Sequence, residues 1–160
     1  MPPDEANHRR QWVAGTLFAG LAVGDRIRTG GFAVTPALSL EFARLYDPQP
    51  MHLDDAAGRD SVFGELVSSG WQTMAITMRL VVDARLFGDA PLIGLGLDQA
   101  RFLRPVRPGD ELRVETEILS MTRSRIRPDR GTAQVKVTTL NQKDMPVLEQ
   151  NWTMLLLAAG

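Results

Sequence analysis

Hydrophobic and polar residues alternate through most of the second half of the chain, and this period of two predicts long β-strands. The alternation is clearest at Leu112, Val114 and Ile118, and it returns at Val135 and Val137. Four such segments can be distinguished, at residues 92–102, 111–121, 132–140 and 147–157. Turn-forming sequences separate them at residues 108–110, 128–131 and 141–146. This arrangement favours a meander of antiparallel strands.

The first half of the chain shows helical periodicity instead. Thr35-Pro36 supplies a hydroxyl N-cap with proline at the first helical position, and apolar residues then recur at helical spacing. We therefore expect a short helix that ends near Tyr46. Residues 25–34 before it have the character of a strand interrupted by two glycines, and residues 54–60 after it predict another brief helix, capped by Asp54.

The longest helical pattern covers residues 71–87, between Ser68-Ser69-Gly70 and the stop signals Gly88 and Pro91. Its apolar face is assigned to Met74, Met78, Leu80, Val81 and Val82. An apolar helix that precedes a run of strands is expected to be buried against them. The pattern as a whole therefore predicts an α+β layer fold.

The length of 160 residues is typical of a single domain. We expect residues 1–23 to form an N-terminal tail and lead-in, and residues 24–160 to form that domain. The chain has no cysteine, which excludes a disulfide framework, a zinc-thiolate site and a cysteine nucleophile. A formal charge of -1 gives no general attraction to nucleic acid or anionic lipid. No stretch approaches the roughly 20 apolar residues that span a bilayer, so we expect a soluble, cytoplasmic protein.

The stretch Asp47-Pro48-Gln49-Pro50-Met51-His52 places a carboxylate and an imidazole five residues apart. Each proline lacks an N–H and shifts the residue before it toward extended geometry, so we expect a stiff, non-helical loop here. Such a loop can direct both side chains into one pocket. A carboxylate and an imidazole together form the acid/base pair that proton transfer near neutral pH requires.

This stretch lies within a longer pattern. A short helix is followed by Asp-x-x-Pro-x-His, a brief helix, Phe-Gly, a small residue with glycine, a long helix and four long strands. The residues that carry the pattern are Phe42-Ala43, Asp47, Pro50, His52, Asp54, Ala57, Phe63-Gly64 and Gly70. The combination resembles the MaoC-like dehydratases, a hotdog-fold family that includes the R-specific enoyl-CoA hydratases.

The resemblance implies a hotdog fold, in which a long antiparallel β-sheet wraps around a central α-helix. It implies that Asp47 and His52 hold and activate a water, and that the backbone N–H of Gly70 binds a thioester carbonyl. The predicted place of Gly70 supports this role, because free N–H groups and the helix dipole favour negative charge at a helix start. No metal or redox cofactor is expected, since coenzyme A would be part of the substrate. The resemblance also implies a homodimer.

Five further residues are assigned to substrate binding, and these are Gln49, Pro50, Ser69, Trp71 and Met78. Three of them depart from the family pattern. The hydratases usually carry asparagine at the position of Gln49 and often histidine at that of Ser69, and a serine of their central helix aligns with Met78. These departures are expected to affect which acyl group is accepted and how the water is positioned. Asp47, His52 and Gly70 are retained, so the chemistry itself is expected to persist.

The expected function is that of a hydratase or dehydratase for 2-enoyl or 3-hydroxyacyl thioesters, with coenzyme A as the carrier. Two alternatives remain open. Hotdog folds also host thioester hydrolysis, so the protein could be an acyl-CoA thioesterase, or it could bind acyl thioesters without catalysis.

Arginine supplies nearly all of the positive charge, because only Lys136 and Lys143 among the 18 basic residues are lysines. Two groups stand out, Arg101, Arg104 and Arg107 near a strand end, and Arg123, Arg125 and Arg127 alternating along another strand. Each group is either a solvated face or a source of guanidinium contacts to the phosphates of coenzyme A.

Overall fold

The computed structural model describes residues 21–88 and 90–157, so residues 1–20 of the predicted tail and lead-in at residues 1–23 lie outside the described residues. In chain order the elements are β1 (Arg26–Arg28), β2 (Phe32–Ala33), α1 (Pro36–Tyr46), α2 (Pro50–Leu53), α3 (Asp55–Asp60), α4 (Gly70–Asp83), β3 (Ile93–Phe102), β4 (Glu111–Arg123), β5 (Arg130–Leu140) and β6 (Pro146–Leu157). None of the helices in these ranges is long and apolar enough to cross a bilayer.

The strands form an antiparallel sheet in the order β1-β4-β5-β6-β3, with the short β2 also paired to β4. All four long strands lie where the alternation placed them, and the predicted meander is confirmed for β4, β5 and β6, which are sequential neighbours. The remaining long strand, β3, pairs with β6 and lies at an edge of the sheet.

Helix α4 supplies the helical side of the core. Ile76, Leu80 and Val81 are buried in a cluster with apolar side chains of the sheet. The sheet contributes Val114, Ile118, Val135, Val137, Leu148, Trp152 and Met154. Each large apolar side chain removed from water in this way stabilises the fold by about 1.5–3 kcal/mol. The hydroxyls of Thr77 and Thr139 meet at 2.6 Å and join α4 to β5.

The predicted caps of the two short helices are present. The Thr35 hydroxyl accepts from the backbone N–H of Leu38 at 3.2 Å, and α1 runs from Pro36 to Tyr46 as expected. The Asp54 carboxylate accepts from the backbone N–H of Ala57 at 2.9 Å and caps α3. These local signals fix both ends of the segment that contains Asp47 and His52.

The expectation of a wholly non-helical stretch between Asp47 and His52 is wrong in its second half. Asp47 and Gln49 do lie outside any helix, but Pro50–Leu53 forms the single helical turn α2. Proline disfavours helix for the residue before it, yet its fixed φ suits the first helical position, which Pro50 occupies. His52 is therefore held by a helical turn.

The long helix differs from its prediction in its end and its buried face. It stops at Asp83, because Arg85 takes a left-handed backbone with φ of 52° and the chain turns there, before Gly88. Met78 and Val82 are exposed, whereas Thr73 and Thr77 are buried. Met74 is partly buried and packs against the core, whereas Met78 and Val82, which follow it at helical spacing, lie away from the core that buries Leu80 and Val81.

Candidate active site

Asp47 stands at the end of α1, where Pro48 prevents the helix from continuing. The backbone N–H of Asp47 still donates to the carbonyl of Ala43 at 3.0 Å, which makes Asp47 the C-cap. Its side chain is 13% exposed. The carboxylate therefore has a defined place at the junction between α1 and α2.

The α2 turn brings His52 back toward this carboxylate. Nε2 of His52 lies 3.3 Å from Oδ2 of Asp47, and Nδ1 lies 2.8 Å from the carbonyl oxygen of Val67. Because a carbonyl only accepts hydrogen bonds, Nδ1 carries a proton, and Nε2 is the ring nitrogen left to exchange a proton with the carboxylate. Nε2 and Oδ2 face each other across a single proton position. The pair can take up and release a proton there.

Two further side chains hold the Asp47 carboxylate. Ser69 Oγ donates to Oδ2 at 2.6 Å, and Gln49 Nε2 donates to Oδ1 at 2.7 Å. Burial raises the pKa of Asp47, but these hydrogen bonds and the adjacent His52 together outweigh it and hold that pKa below its usual range. The carboxylate is therefore ionised near neutral pH, and both of its oxygens are oriented.

Gly70 begins α4 directly after Ser69, which caps the helix by accepting from the backbone N–H of Trp71 at 3.2 Å. No described residue accepts a hydrogen bond from the Gly70 N–H. A Cβ at Gly70 would lie 2.7 Å from Cε1 of Phe102, so only glycine fits without displacing that ring. The helix start thus offers a free N–H at the positive end of its dipole.

Asp47, Gln49, His52 and Gly70 line one cavity of about 460 Å³, a size suited to a small-molecule ligand. Its polar part includes Asp47, Gln49, His52, Gly70 and Thr73. Its apolar part includes Met51, Phe63, Trp71, Phe102, Leu103 and Val147. Within the described residues, no group of three or more His, Cys, Asp or Glu side chains is arranged to hold a metal ion.

The five residues predicted to bind substrate occupy different places. Gln49 and Trp71 line the cavity with the acid/base pair. Ser69 is fully buried and contacts Asp47, while Pro50 is exposed at the start of α2, and neither lines the cavity. Met78 lies in a separate groove of about 410 Å³ beside α4.

No sequence signal marks Phe102 or Val147 as lining residues. Both belong to the ordinary apolar pattern of strands, and they are far from Asp47 along the chain. They reach the cavity because β3 pairs with β6, where Phe102 is opposite Leu148. This pairing is a non-local feature that carries no sequence motif.

The first arginine group has one member in the cavity lining, Arg104. Its Nη1 also donates to the carbonyl of Pro146 at 2.7 Å. Arg107 is engaged elsewhere, because its Nη2 lies 2.6 Å from Oε1 of Glu65 in an exposed ion pair.

The second arginine group does not alternate along a strand as expected. Strand β4 ends at Arg123, and Arg125 and Arg127 lie in the turn that leads to β5. The Ser124 hydroxyl accepts from the backbone N–H of Arg127 at 3.1 Å, and this bond favours a turn over a continued strand.

Comparison with known proteins identifies the class to which this fold and site belong. Residues 19–141 match the family model of the MaoC like domain, and the chain belongs to this family. An uncharacterized protein of Bacillus subtilis (strain 168), YdeM, is 31% identical over 134 residues, which are 84% of this chain and 94% of that protein.

Solved structures agree with this assignment. The MaoC-like dehydratase from Rhodospirillum rubrum matches with a TM-score of 0.86 and 41% identity, over 91% of this chain and 99% of that chain. R-hydratase PhaJ1 from Pseudomonas aeruginosa matches with a TM-score of 0.69 and 26% identity, over 89% of this chain and 86% of that chain. The predicted α+β hotdog fold is thereby confirmed.

Proposed function

We propose that the protein is a hydratase or dehydratase that interconverts 2-enoyl and 3-hydroxyacyl thioesters, with coenzyme A as the carrier. The observation that carries this proposal is the 3.3 Å approach of His52 Nε2 to Asp47 Oδ2, in a cavity that Gly70 also lines. The two solved relatives support the same class of reaction, since one is a MaoC-like dehydratase and the other an R-hydratase.

In the hydration direction, a water held by Asp47 and His52 adds its oxygen to C3 of the enoyl group. The water gives up one proton to the Asp47–His52 pair, and the pair delivers a proton to C2. The pair thus ends the cycle in its starting protonation state. General acid/base participation of this kind contributes about 10²–10⁴ in rate.

Negative charge builds on the thioester oxygen as the water attacks. The Gly70 N–H is free to donate to that oxygen, and the positive end of the α4 dipole favours the charge. One such donor is typically worth about 10²–10³ in rate. No step of this scheme requires a metal or a redox cofactor.

Arg104 is the residue we assign to the phosphates of coenzyme A, because it is the arginine of the two groups that lines the cavity within the described residues. Guanidinium groups bind phosphate oxygens through paired hydrogen bonds. The side chain is exposed and so can meet a ligand that enters from solvent.

We also propose a homodimer formed through β3. This strand lies at the sheet edge and is exposed along its whole length, with Leu95 at 55% and Leu97 at 45%. An apolar edge strand left open invites pairing with another chain. Two copies related by a twofold axis would pair β3 with β3 in antiparallel fashion and cover these residues.

The direct test follows the ultraviolet absorbance of a conjugated enoyl thioester. We expect the wild-type protein to consume the double bond, and Asp47→Asn and His52→Ala each to lose at least about 100-fold in rate. Asp60→Asn, an exposed carboxylate at the end of α3, is the matched control and should keep the native rate. Near-native rates in both site variants would contradict the proposal.

The same assay separates the alternatives when free thiol is measured in parallel. Thiol release without loss of the double bond would identify a thioesterase. Thermal stabilisation by acyl thioesters of several chain lengths, with neither signal changing, would identify a binding protein.

A further inference from the structure

The connection between β4 and β5 is strongly basic, and we call residues 123–130 the arginine hairpin. It contains four arginines and one aspartate, although the whole chain has a formal charge of -1. The aspartate is already engaged by the two arginines nearest to it in sequence, at 3.4 and 2.9 Å. Arg123 and Arg125 are exposed and have no ion pair within the residues that the structure describes. Two guanidinium groups are therefore available to an anion.

Hydrogen bonds give the arginine hairpin a defined shape. Ser124 Oγ accepts from the backbone N–H of Ile126 at 3.3 Å and from that of Arg127 at 3.1 Å. The backbone N–H of Ser124 donates to the carbonyl of Arg130 at 3.0 Å, and the N–H of Arg130 donates to the carbonyl of Arg127 at 3.1 Å. A turn closed in this way holds Arg125 on an ordered backbone. Binding an anion there would cost little backbone entropy.

The arginine hairpin lies far from the cavity of its own chain. Phe102 and Val147 line the cavity where β3 ends and β6 begins. At the hairpin, Arg130 pairs with Leu157 of β6. Phe102 pairs with Leu148, which is about nine residues back along β6, or roughly 30 Å at about 3.3 Å per residue. A ligand held in the cavity would have to cross the length of the sheet to meet the hairpin of the same chain.

The proposed dimer reverses this separation. When β3 pairs with β3 in antiparallel fashion, the end of β3 in one copy adjoins the start of β3 in the other. With the twofold axis at the middle of the strand, the partner's Ile93 lies beside Phe102. The hairpin is at the end of the sheet where β3 starts, because Arg130 and Ile93 both pair near the end of β6. The partner's hairpin thus lies at the same end of the dimer as the cavity.

The distance to the partner's hairpin matches the length of coenzyme A. The strand order β4-β5-β6-β3 places that hairpin three to four strand spacings from β3 of the first copy, or roughly 17 Å at about 4.8 Å per spacing. The pantetheine arm joins the thioester sulfur to the pyrophosphate through about thirteen bonds, roughly 15 Å at the spacing of an extended peptide chain. Arginine side chains that project from the hairpin cover the remaining gap.

We infer that the nucleotide of coenzyme A is bound across the dimer, with Arg104 of one copy at the pyrophosphate and the partner's Arg123 and Arg125 at the 3′-phosphate. The inference rests on the proposed hydratase function and the proposed β3 dimer, and it adds that each carrier site is incomplete without the second copy. The pyrophosphate is nearer to the thioester than the 3′-phosphate is, which agrees with the place of Arg104 in the cavity lining. Guanidinium groups are well suited to phosphate oxygens.

The first test compares an enoyl-CoA with the same enoyl thioester of pantetheine, which lacks the nucleotide. The Arg123→Gln/Arg125→Gln variant should lower the ratio of kcat/KM for the CoA thioester to that for the pantetheine thioester by about tenfold, through a higher KM for the CoA thioester. The preference of the wild-type protein for the CoA thioester should weaken as salt is added, because salt screens exposed charges.

The matched control is Arg28→Gln/Lys136→Gln, which also removes two positive charges. Arg28 is on β1 in an exposed ion pair with Glu115, and Lys136 is exposed in the middle of β5. This variant should keep the ratio of the wild-type protein. An equal fall in both double variants would mean that net charge alone attracts the CoA thioester, and it would overturn the inference.

Mixed dimers show which copy supplies the arginines. Copies with different affinity tags are co-expressed, and the dimer that carries both tags is isolated. When an Arg123→Gln/Arg125→Gln chain is combined with an Asp47→Asn chain, the working cavity faces a native hairpin, so the native KM should return. When all three substitutions are on one chain and the other is wild type, the working cavity faces the altered hairpin, and KM should stay about tenfold higher. The reverse pattern would show that the arginines serve their own chain, and it would overturn the inference.

Calorimetric binding of adenosine 3′,5′-bisphosphate, the nucleotide end of coenzyme A without the thioester, separates this inference from the proposed hydration. Binding that the Arg123→Gln/Arg125→Gln variant loses, in a protein that hydrates no enoyl thioester, would support the nucleotide site and refute the hydratase. Hydration by a monomeric wild-type protein, or hydration with equal kcat/KM for the CoA and pantetheine thioesters, would refute the nucleotide site alone. If the bisphosphate does not bind and no thioester is hydrated, both proposals fail.

Discussion

The Ser69 hydroxyl joins the Asp47 carboxylate to the start of α4. Ser69 Oγ donates to Asp47 Oδ2 at 2.6 Å and accepts from the backbone N–H of Trp71 at 3.2 Å. A hydroxyl has one proton to donate, and here it goes to the carboxylate while the oxygen caps the helix. The carboxylate proposed for proton transfer and the helix that offers the Gly70 N–H are therefore held in a fixed relation.

Replacing Ser69 by alanine should shift the acid limb of the pH dependence of kcat/KM to higher pH. The variant loses a hydrogen bond that lowers the pKa of Asp47, so that pKa rises while burial continues to raise it. In the wild-type protein the depressed pKa contributes stability above about pH 4, which is lost as pH falls through the folded value, and the variant loses part of it. The measurement is kcat/KM and the free energy of unfolding as functions of pH.

The control for this prediction is Ser68→Ala. Ser68 is the buried neighbour of Ser69, but its hydroxyl meets that of Ser39 at 2.9 Å and does not contact Asp47. Its substitution should leave the acid limb in place, whatever it does to the rate. If both serine variants shifted the acid limb of kcat/KM equally, the shift would come from disturbed packing around the serines and not from loss of the hydrogen bond to Asp47.

Gln49 is predicted to orient the other oxygen of Asp47. Gln49→Leu removes the 2.7 Å hydrogen bond to Oδ1, so we expect kcat to fall by about tenfold and the pKa of Asp47 to rise. Gln49→Asn keeps an amide donor, with one methylene fewer, and is expected to retain more activity than the leucine variant. Steady-state kinetics of the two variants provide the comparison, and equal losses would exclude a role for the donor.

Much of the fold follows from signals that act over a few residues. Alternation located the four long strands, and the caps at Thr35 and Asp54 located two helices, because each signal depends on neighbouring side chains and backbone. The α2 turn was missed because Pro50 restricts Gln49 but favours a helix that begins at Pro50 itself. The same residue carries both tendencies, and only the tertiary structure decides between them.

The site was predictable only in part. Asp47 and His52 could be named from their spacing and from a family resemblance, since they lie on one short segment. The bond between Ser69 and Asp47 joins residues 22 positions apart, and the groove beside α4 needs β3, β6 and α4 together. Contacts of this kind arise from packing and sheet pairing, which leave no local pattern.

Gly70→Ala tests the steric limit at the helix start. The added Cβ would meet Phe102, whose ring is exposed and can swing outward, so we expect little change in the free energy of unfolding. The activity should fall by at least tenfold, because the methyl group and the displaced ring obstruct the Gly70 N–H. If crowding is the cause, Phe102→Ala in the Gly70→Ala background should recover part of the loss. Purely additive effects in this double-mutant cycle would exclude that explanation.

The exposed edge strand β3 leads to a prediction about assembly. In the proposed twofold dimer, β3 of one copy pairs with β3 of the other, so Leu97→Lys places two like charges close together in an interface that would otherwise be apolar. Leu97 is exposed in the single chain, so the folded monomer should tolerate the change. Sedimentation velocity is expected to show a dimer for the wild-type protein and a monomer for this variant.

The control is Ile126→Lys. Ile126 is 87% exposed in the turn after β4, so its substitution should leave the dimer intact. A monomeric wild-type protein, or dissociation by both variants, would exclude β3 as the interface.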